Sequence, residues 1–143
     1  MRITLLEAWK EQLLLEEPYT IAYETIDRAA AVFVRVETDT GIVGYGCAAP
    51  DLQGTGETVE SVMEKFDSVV AAYMKNADPL RIALHMERLK SELPRHPSLL
   101  AMIDMALHDI LGRRAGLPLY RILGGYREGI ATSITIGIMP LAG

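Results

Sequence analysis

Apolar and polar residues alternate along the first third of the chain, then recur every three or four residues through the middle. That change of period predicts strands followed by helices. The clearest strand is Ala31–Thr38 (AVFVRVET), with Val32, Val34 and Val36 on one face and Phe33, Arg35 and Glu37 on the other. Asp39-Thr40-Gly41 is a turn signal, and Ile42–Ala48 returns as its hairpin partner. Upstream, Ile3 and Leu5 alternate with polar neighbours, and Leu13–Leu15 lead to a break at Pro18. Glu16–Asp27 (EEPYTIAYETID) then reads as an irregular loop, too long for a tight turn, and long loops in compact domains are often functional.

Thr58 is placed to cap a helix running to about Asn76, with Val59, Val62, Met63, Phe66, Val69, Val70 and Tyr73 at helical spacing. Asp78-Pro79 marks a second helix start, whose stripe is Ile82, Met86, Leu89 and Leu93. A third helix is expected from Pro97 to about Ala115, ended by Gly116. Leu99, Leu100, Met102, Ile103, Ala106, Leu107, Ile110 and Leu111 leave little of its circumference polar, so it should be buried between two layers. Ala131–Met139 begins a further strand with no following segment to pair with. The sequence therefore reads as an α+β domain over 1–126 and a linker plus an orphan strand over 127–143.

Composition narrows the function classes. At 143 residues the chain is one domain by length. A net charge of −5 argues against a nucleic-acid partner, since phosphate binding needs clustered Lys and Arg. No apolar run reaches the ~18 residues that cross a bilayer, and charges interrupt the N-terminal apolar stretch, so neither a membrane span nor a signal peptide is expected. The single cysteine, Cys47, fits a reducing, cytoplasmic setting.

The candidate chemistry is sparse. Asp104 and His108 lie four apart on the third helix, beside Asp109, but no third ligand is spaced to complete a metal site. Hydrogen-bonded anchoring of a buried helix is the simpler reading. His85 and His96 read as solvated. Gly44-Tyr45-Gly46 and Gly54-Thr55-Gly56 resemble phosphate loops only in part, since the first lies in a strand and the second lacks a Gly-Lys-Ser/Thr ending. Cys47 reads as a structural thiol. Residue types and spacing alone show no acid–base pair, no nucleophile triad and no metal cage.

The wording of several segments carries more. Ala101-Met102-Ile103-Asp104-Met105-Ala106-Leu107-His108-Asp109, continuing through Gly116-Leu117-Pro118-Leu119 to Leu123-Gly124-Gly125, resembles the N-terminal capping domain of the enolase superfamily, in its mandelate racemase/muconate-lactonizing branch. Pro18–Thr25, Gly44–Pro50 and Thr55-Gly56-Glu57-Thr58 support the same resemblance, which is strongest to dipeptide epimerases such as L-Ala-D/L-Glu epimerase. It implies a three-stranded antiparallel meander followed by a helical bundle, covering a (β/α)₇β barrel. Only the first barrel strand would be present here, at residues 127–143.

In such enzymes barrel lysines exchange a proton next to a carboxylate, and Mg²⁺ stabilises the enediolate. The resemblance therefore places no catalytic residue and no metal ligand in this chain, and implies that the fragment alone is inactive. What the cap contributes is specificity. Tyr19, Ile21, Tyr23 and Glu24 are expected to line the substrate from the Glu16–Asp27 loop, with Thr135 contacting it from the barrel strand.

Two departures stand out. Glu24 sits where epimerases of glutamate-ended dipeptides carry an Arg; facing the substrate it would repel an anionic side chain and attract a cationic one, and the alternative is that it points to solvent. Cys47 sits where many relatives have Glu. The expected partners are a dipeptide or other small carboxylate, a C-terminal barrel domain and further copies of the protein. Muconate cycloisomerase, o-succinylbenzoate synthase and a free-standing non-enzymatic interaction module remain as alternatives.

Overall fold

The computed structural model describes residues 1–21 and 25–134. Three strands, β1 (Ile3–Thr20), β2 (Thr25–Thr38) and β3 (Val43–Ala48), form an antiparallel sheet in the order β1-β2-β3. The expected meander is thus present, and β2 pairs β3 from Glu37↔Val43 to Val32↔Ala48. Its inner face is buried through Val32, Val34 and Val36 and through Gly44, Gly46 and Ala48. The opposite face carries Trp9 stacked on Phe33 at 5.8 Å between ring centroids, with Cys47 as the cross-strand partner of Phe33. Burial pushes the Cys47 thiol above its ordinary pKa.

The helices lie on the inner face. The stretch beginning at Thr58 comprises α1 (Val59–Lys65), a π-helical turn over Phe66–Val70 and α2 (Ala71–Met74). Thr58 caps it as expected: its hydroxyl accepts from the Ser61 amide at 3.1 Å, while the Ser61 hydroxyl accepts from the Thr58 amide at 3.0 Å. The wider π turn keeps Phe66, Val70 and Met74 all facing the core.

The second helix, α3 (Ile82–Glu92), starts later than its Asp-Pro signal. Asp78 instead closes a turn, its carboxylate accepting from the Leu80 amide at 3.1 Å. The third, α4 (Pro97–Ala115), has the expected bounds and buries Leu99, Met102, Ile103, Ala106, Leu107 and Ile110. Gly116 ends it in the left-handed conformation (φ 65°), with the Leu117 amide donating to the Gly112 carbonyl at 3.1 Å. A single turn, α5 (Leu119–Ile122), follows.

α4 lies closely over β3, and glycine permits the approach. A Cβ on Gly46 would overlap the Met102 carbonyl, and one on Gly44 would overlap the Ala106 carbonyl and meet Ile110 Cγ1 at 2.6 Å. The Gly-x-Gly pair is therefore a packing groove for a helix backbone.

The layer expected on the far side of α4 is not supplied by the described residues: Ala101 and Met105 are exposed there. Residues 131–134 have no strand structure, and the rest of the expected Ala131–Met139 strand lies outside the described residues.

Candidate functional site

The Glu16–Asp27 loop is largely strand. After Lys10↔Val32 the β1–β2 ladder continues to Leu14↔Arg28, shifts register, and resumes at Tyr19↔Ile26 and Thr20↔Thr25. Five β1 steps match two β2 steps across the shift, so the extra residues around Pro18 bulge out. Proline signals a break on a sequence, but Pro18 falls in the unpaired stretch between Leu14 and Tyr19, where a missing N–H breaks no ladder bond. Because β3 ends at Ala48, opposite Val32, the paired segments 11–20 and 25–31 project as a two-stranded arm.

Two of the five expected site residues lie on or beside the described arm. Tyr19 is exposed on it and Ile21 is half-buried at its tip. Tyr23, Glu24 and Thr135 lie outside the described residues. The sequence of this segment is strongly acidic: residues 11–31 contain Glu11, Glu16, Glu17, Glu24 and Asp27 and a single base, Arg28. That base is engaged, since Arg28 donates to Asp27 at 2.9 and 3.0 Å and to Gln12 at 3.4 Å. The guanidinium holds the Asp27 carboxyl below its ordinary pKa, and Asp27 raises that of Arg28. Glu11, Glu16 and Glu17 are exposed and make no ion pair among the described residues. An unneutralised acidic ribbon concentrates cations around it. Leu13 and Leu14 are also exposed, so the arm joins apolar surface to negative charge.

At the base of the arm, Glu11, Gln12 and Ala30 share a cleft with Lys10 and with Val59 and Glu60 from the first turn of α1. Just before that turn lies Glu57, only 1% exposed. Its carboxylate accepts from the Ser98 amide at 2.8 Å and the Leu99 amide at 3.3 Å, capping α4 from a distant segment. His96 and Ser98 supply no cap of their own, and the Ser98 hydroxyl is buried without a partner.

The other polar groups prove structural. His108 Nδ1 lies 2.9 Å from the Asp104 carbonyl and 3.3 Å from its carboxylate. Asp109 instead accepts from the Tyr45 amide of β3 at 3.0 Å and from Arg113 at 2.9 Å, tying α4 to the sheet edge. Asp109 raises the pKa of Arg113, first through that hydrogen bond.

His85, expected in solvent, is 4% exposed. Its Nε2–H donates to the Asp78 carbonyl at 2.8 Å, which leaves Nδ1 to accept from the Tyr73 hydroxyl, also at 2.8 Å. The misreading has a simple cause: His85 lies three residues after Ile82 and four before Leu89, on the buried stripe itself. No group of three His, Cys, Asp or Glu among the described residues converges to hold a metal ion, so they do not fit a magnesium site. No described helix is long and apolar enough to cross a membrane.

Residues 4–124 match the family of mandelate racemase / muconate lactonizing enzyme, N-terminal domain. The chain is 41% identical over 141 residues to an L-Lys-D/L-Arg epimerase of Desulforapulum autotrophicum, covering 99% of this chain and 40% of that protein. The structure resembles a dipeptide epimerase of Methylococcus capsulatus, complexed with Mg and the dipeptide L-Arg-D-Lys, with TM-score 0.92 and 34% identity. That match covers 99% of this chain and 40% of the other. A dipeptide epimerase of Enterococcus faecalis, complexed with Mg and L-Leu-L-Tyr, matches with TM-score 0.90 and 34% identity over 97% of this chain and 39% of the other. The chain thus spans about 40% of the length of its relatives. It belongs to the mandelate racemase / muconate lactonizing enzyme N-terminal domain family, and the relatives it matches along 40% of their length are dipeptide epimerases.

Proposed function

We propose that this capping domain selects cationic dipeptides for a Mg²⁺-dependent epimerase, whose proton-transfer groups and metal ligands lie outside this chain. The acidic arm carries the reading. An exposed ribbon with a surplus of four negative charges favours Lys and Arg side chains and disfavours Glu. At ~4 Å a carboxylate–ammonium pair is worth about 1 kcal/mol in bulk water and about 4 kcal/mol at an effective dielectric of 20. Partial exclusion of water at the arm therefore decides how much selectivity the charge yields. In this reading Glu24 supplies a carboxylate to the substrate, and Tyr19, Ile21 and Tyr23 supply apolar surface for the aliphatic stem of a Lys or Arg. Thr135 contacts the substrate from the side of the following domain. The relatives acting on Lys- and Arg-containing dipeptides, in Desulforapulum and Methylococcus, support this choice over the anionic one.

Mg²⁺ supplies charge stabilisation for the enediolate when bound. The contribution of this chain is to bind and orient the side chain of the epimerised dipeptide and to shield it from water.

A cap transplant tests the reading. Residues 1–126 replace the corresponding segment of the hydrophobic dipeptide epimerase of Enterococcus faecalis, a 36% identical relative. Mg²⁺-dependent α-proton exchange is then followed in D₂O for L-Lys-L-Arg, L-Leu-L-Tyr and L-Ala-L-Glu. The expected result is a gain in kcat/KM for the cationic dipeptide relative to the other two. A hybrid that retains the hydrophobic preference, or gains activity on L-Ala-L-Glu, overturns the proposal.

A further inference from the structure

Glu57 is a buried carboxylate that neither the fold class nor the charge of the acidic arm accounts for. Both of its oxygens are committed to α4, through the Ser98 and Leu99 amides at 2.8 and 3.3 Å. The segment before it, from Ala48 at the base of the arm, is closed on itself. The Thr55 and Gly56 amides donate to the Asp51 carbonyl at 2.7 and 3.0 Å, the Thr55 hydroxyl accepts from the Asp51 amide at 3.1 Å, and the Gln53 amide donates to the Asp51 carboxylate at 3.0 Å. The segment after it is the capping box of α1, whose first turn lines the cleft at the arm's base with Glu11, Gln12 and Ala30.

We infer that Glu57 is a positioning residue, which pins the first turn of α1 to the N-terminus of α4 and so fixes the angle at which the acidic arm leaves the sheet. The arm needs such a support. Beyond Val32↔Ala48 it is a two-stranded ribbon, and isolated ribbons of that kind are only marginally ordered in water. Its underside meets the body of the domain at the α1 turn. Loss of the Glu57 carboxylate leaves two buried amides without acceptors and frees that turn to shift. The substrate-binding consequence rests on the proposed role of the arm, whereas the structural coupling does not.

Two variants and two readouts separate these layers. E57Q retains one acceptor oxygen and the side-chain shape, but turns an amide N–H₂ toward a backbone N–H. E57A removes both acceptors. Hydrogen exchange of the 143-residue chain is expected to quicken about fivefold or more in segments 11–14, 28–31 and 49–58 and at the start of α4 in E57Q. Exchange in α3 and in the Val34–Val36 stretch should be unchanged.

In the cap-transplant enzyme, E57Q should raise KM for L-Lys-L-Arg about fivefold with kcat little altered. Uniform quickening across the domain, or quickening confined to α4 with the arm base unaffected, overturns the inference. If E57A unfolds, E57Q carries the test. If the unsubstituted transplant lacks a cationic preference, the functional proposal fails, while the exchange pattern still decides the role of Glu57.

Discussion

Replacing Gly46 with alanine should unfold much of the stability of this domain, because the methyl group has nowhere to go. Its Cβ would overlap the Met102 carbonyl oxygen, with the Met102 carbonyl carbon at 2.9 Å and the Ala106 nitrogen at 3.2 Å. All three are backbone atoms of α4, so no side chain can rotate aside. Carbon atoms rest about 3.5–4.0 Å apart, so α4 must retreat by roughly 1 Å over β3. A gap of that size forfeits about a quarter to a half of the dispersion energy across an interface. Here the interface includes Met102, Ala106 and Ile110 over Gly44, Gly46 and Ala48.

Overpacking typically costs about 1–3 kcal/mol, and a rigid backbone obstacle places this case at the top of that range, about 3 kcal/mol. Against a total of about 5–15 kcal/mol, that is a substantial loss. Urea unfolding followed by circular dichroism measures it, with Gly129→Ala as the control, since no atom lies within 4 Å of its added Cβ. Gly46→Ala within 1 kcal/mol of the parent at unchanged m would refute the close-approach reasoning.

Two further outcomes follow from buried polar chemistry. Tyr73→Phe removes the donor to His85 Nδ1 while leaving the ring beneath Arg88, whose guanidinium carbon lies 4.5 Å from its centroid. A buried acceptor then stands unpaired, and chemical denaturation should show a loss of about 1–3 kcal/mol; a change under 0.5 kcal/mol contradicts the assigned network. Cys47, with its pKa raised by burial, holds less thiolate than free cysteine at any pH below that raised value. Alkylation at pH 8 should accordingly run slower than for free cysteine, and an equal or faster rate is incompatible with the half-buried thiol.

The period of the apolar residues made the meander and α4 legible, because burial on one face leaves a direct imprint on sequence. Val32, Val34 and Val36 alternate, and the α4 stripe ends at a glycine that adopts the left-handed conformation. Features set by pairing across the chain were not legible. Pro18 reads as a break locally, yet it sits in an unpaired bulge and costs no ladder bond, so the ribbon runs past it. His85 looks solvated by type, but its polarity is satisfied by Tyr73 and the Asp78 carbonyl inside the core.

Glu57 offered only one hint, a carboxylate next to an N-cap. Its partners, Ser98 and Leu99, lie more than forty residues away. The Gly44-Tyr45-Gly46 motif was separable from a phosphate loop by its place in a strand, but what the glycines admit, the α4 backbone, is visible only in three dimensions. Glu24 owed its interest to a family position, and the acidity of the whole arm gives that position a physical setting.

The most direct test of the account reverses one charge on that arm. In the cap-transplant enzyme, Glu24→Arg should cut kcat/KM for L-Lys-L-Arg and raise it for L-Ala-L-Glu. A charge-assisted contact of about 1–3 kcal/mol corresponds to a change of roughly 5- to 150-fold in the ratio of the two. An unchanged ratio, in an enzyme that still turns over both dipeptides, contradicts the claim that the arm of this cap reads substrate charge.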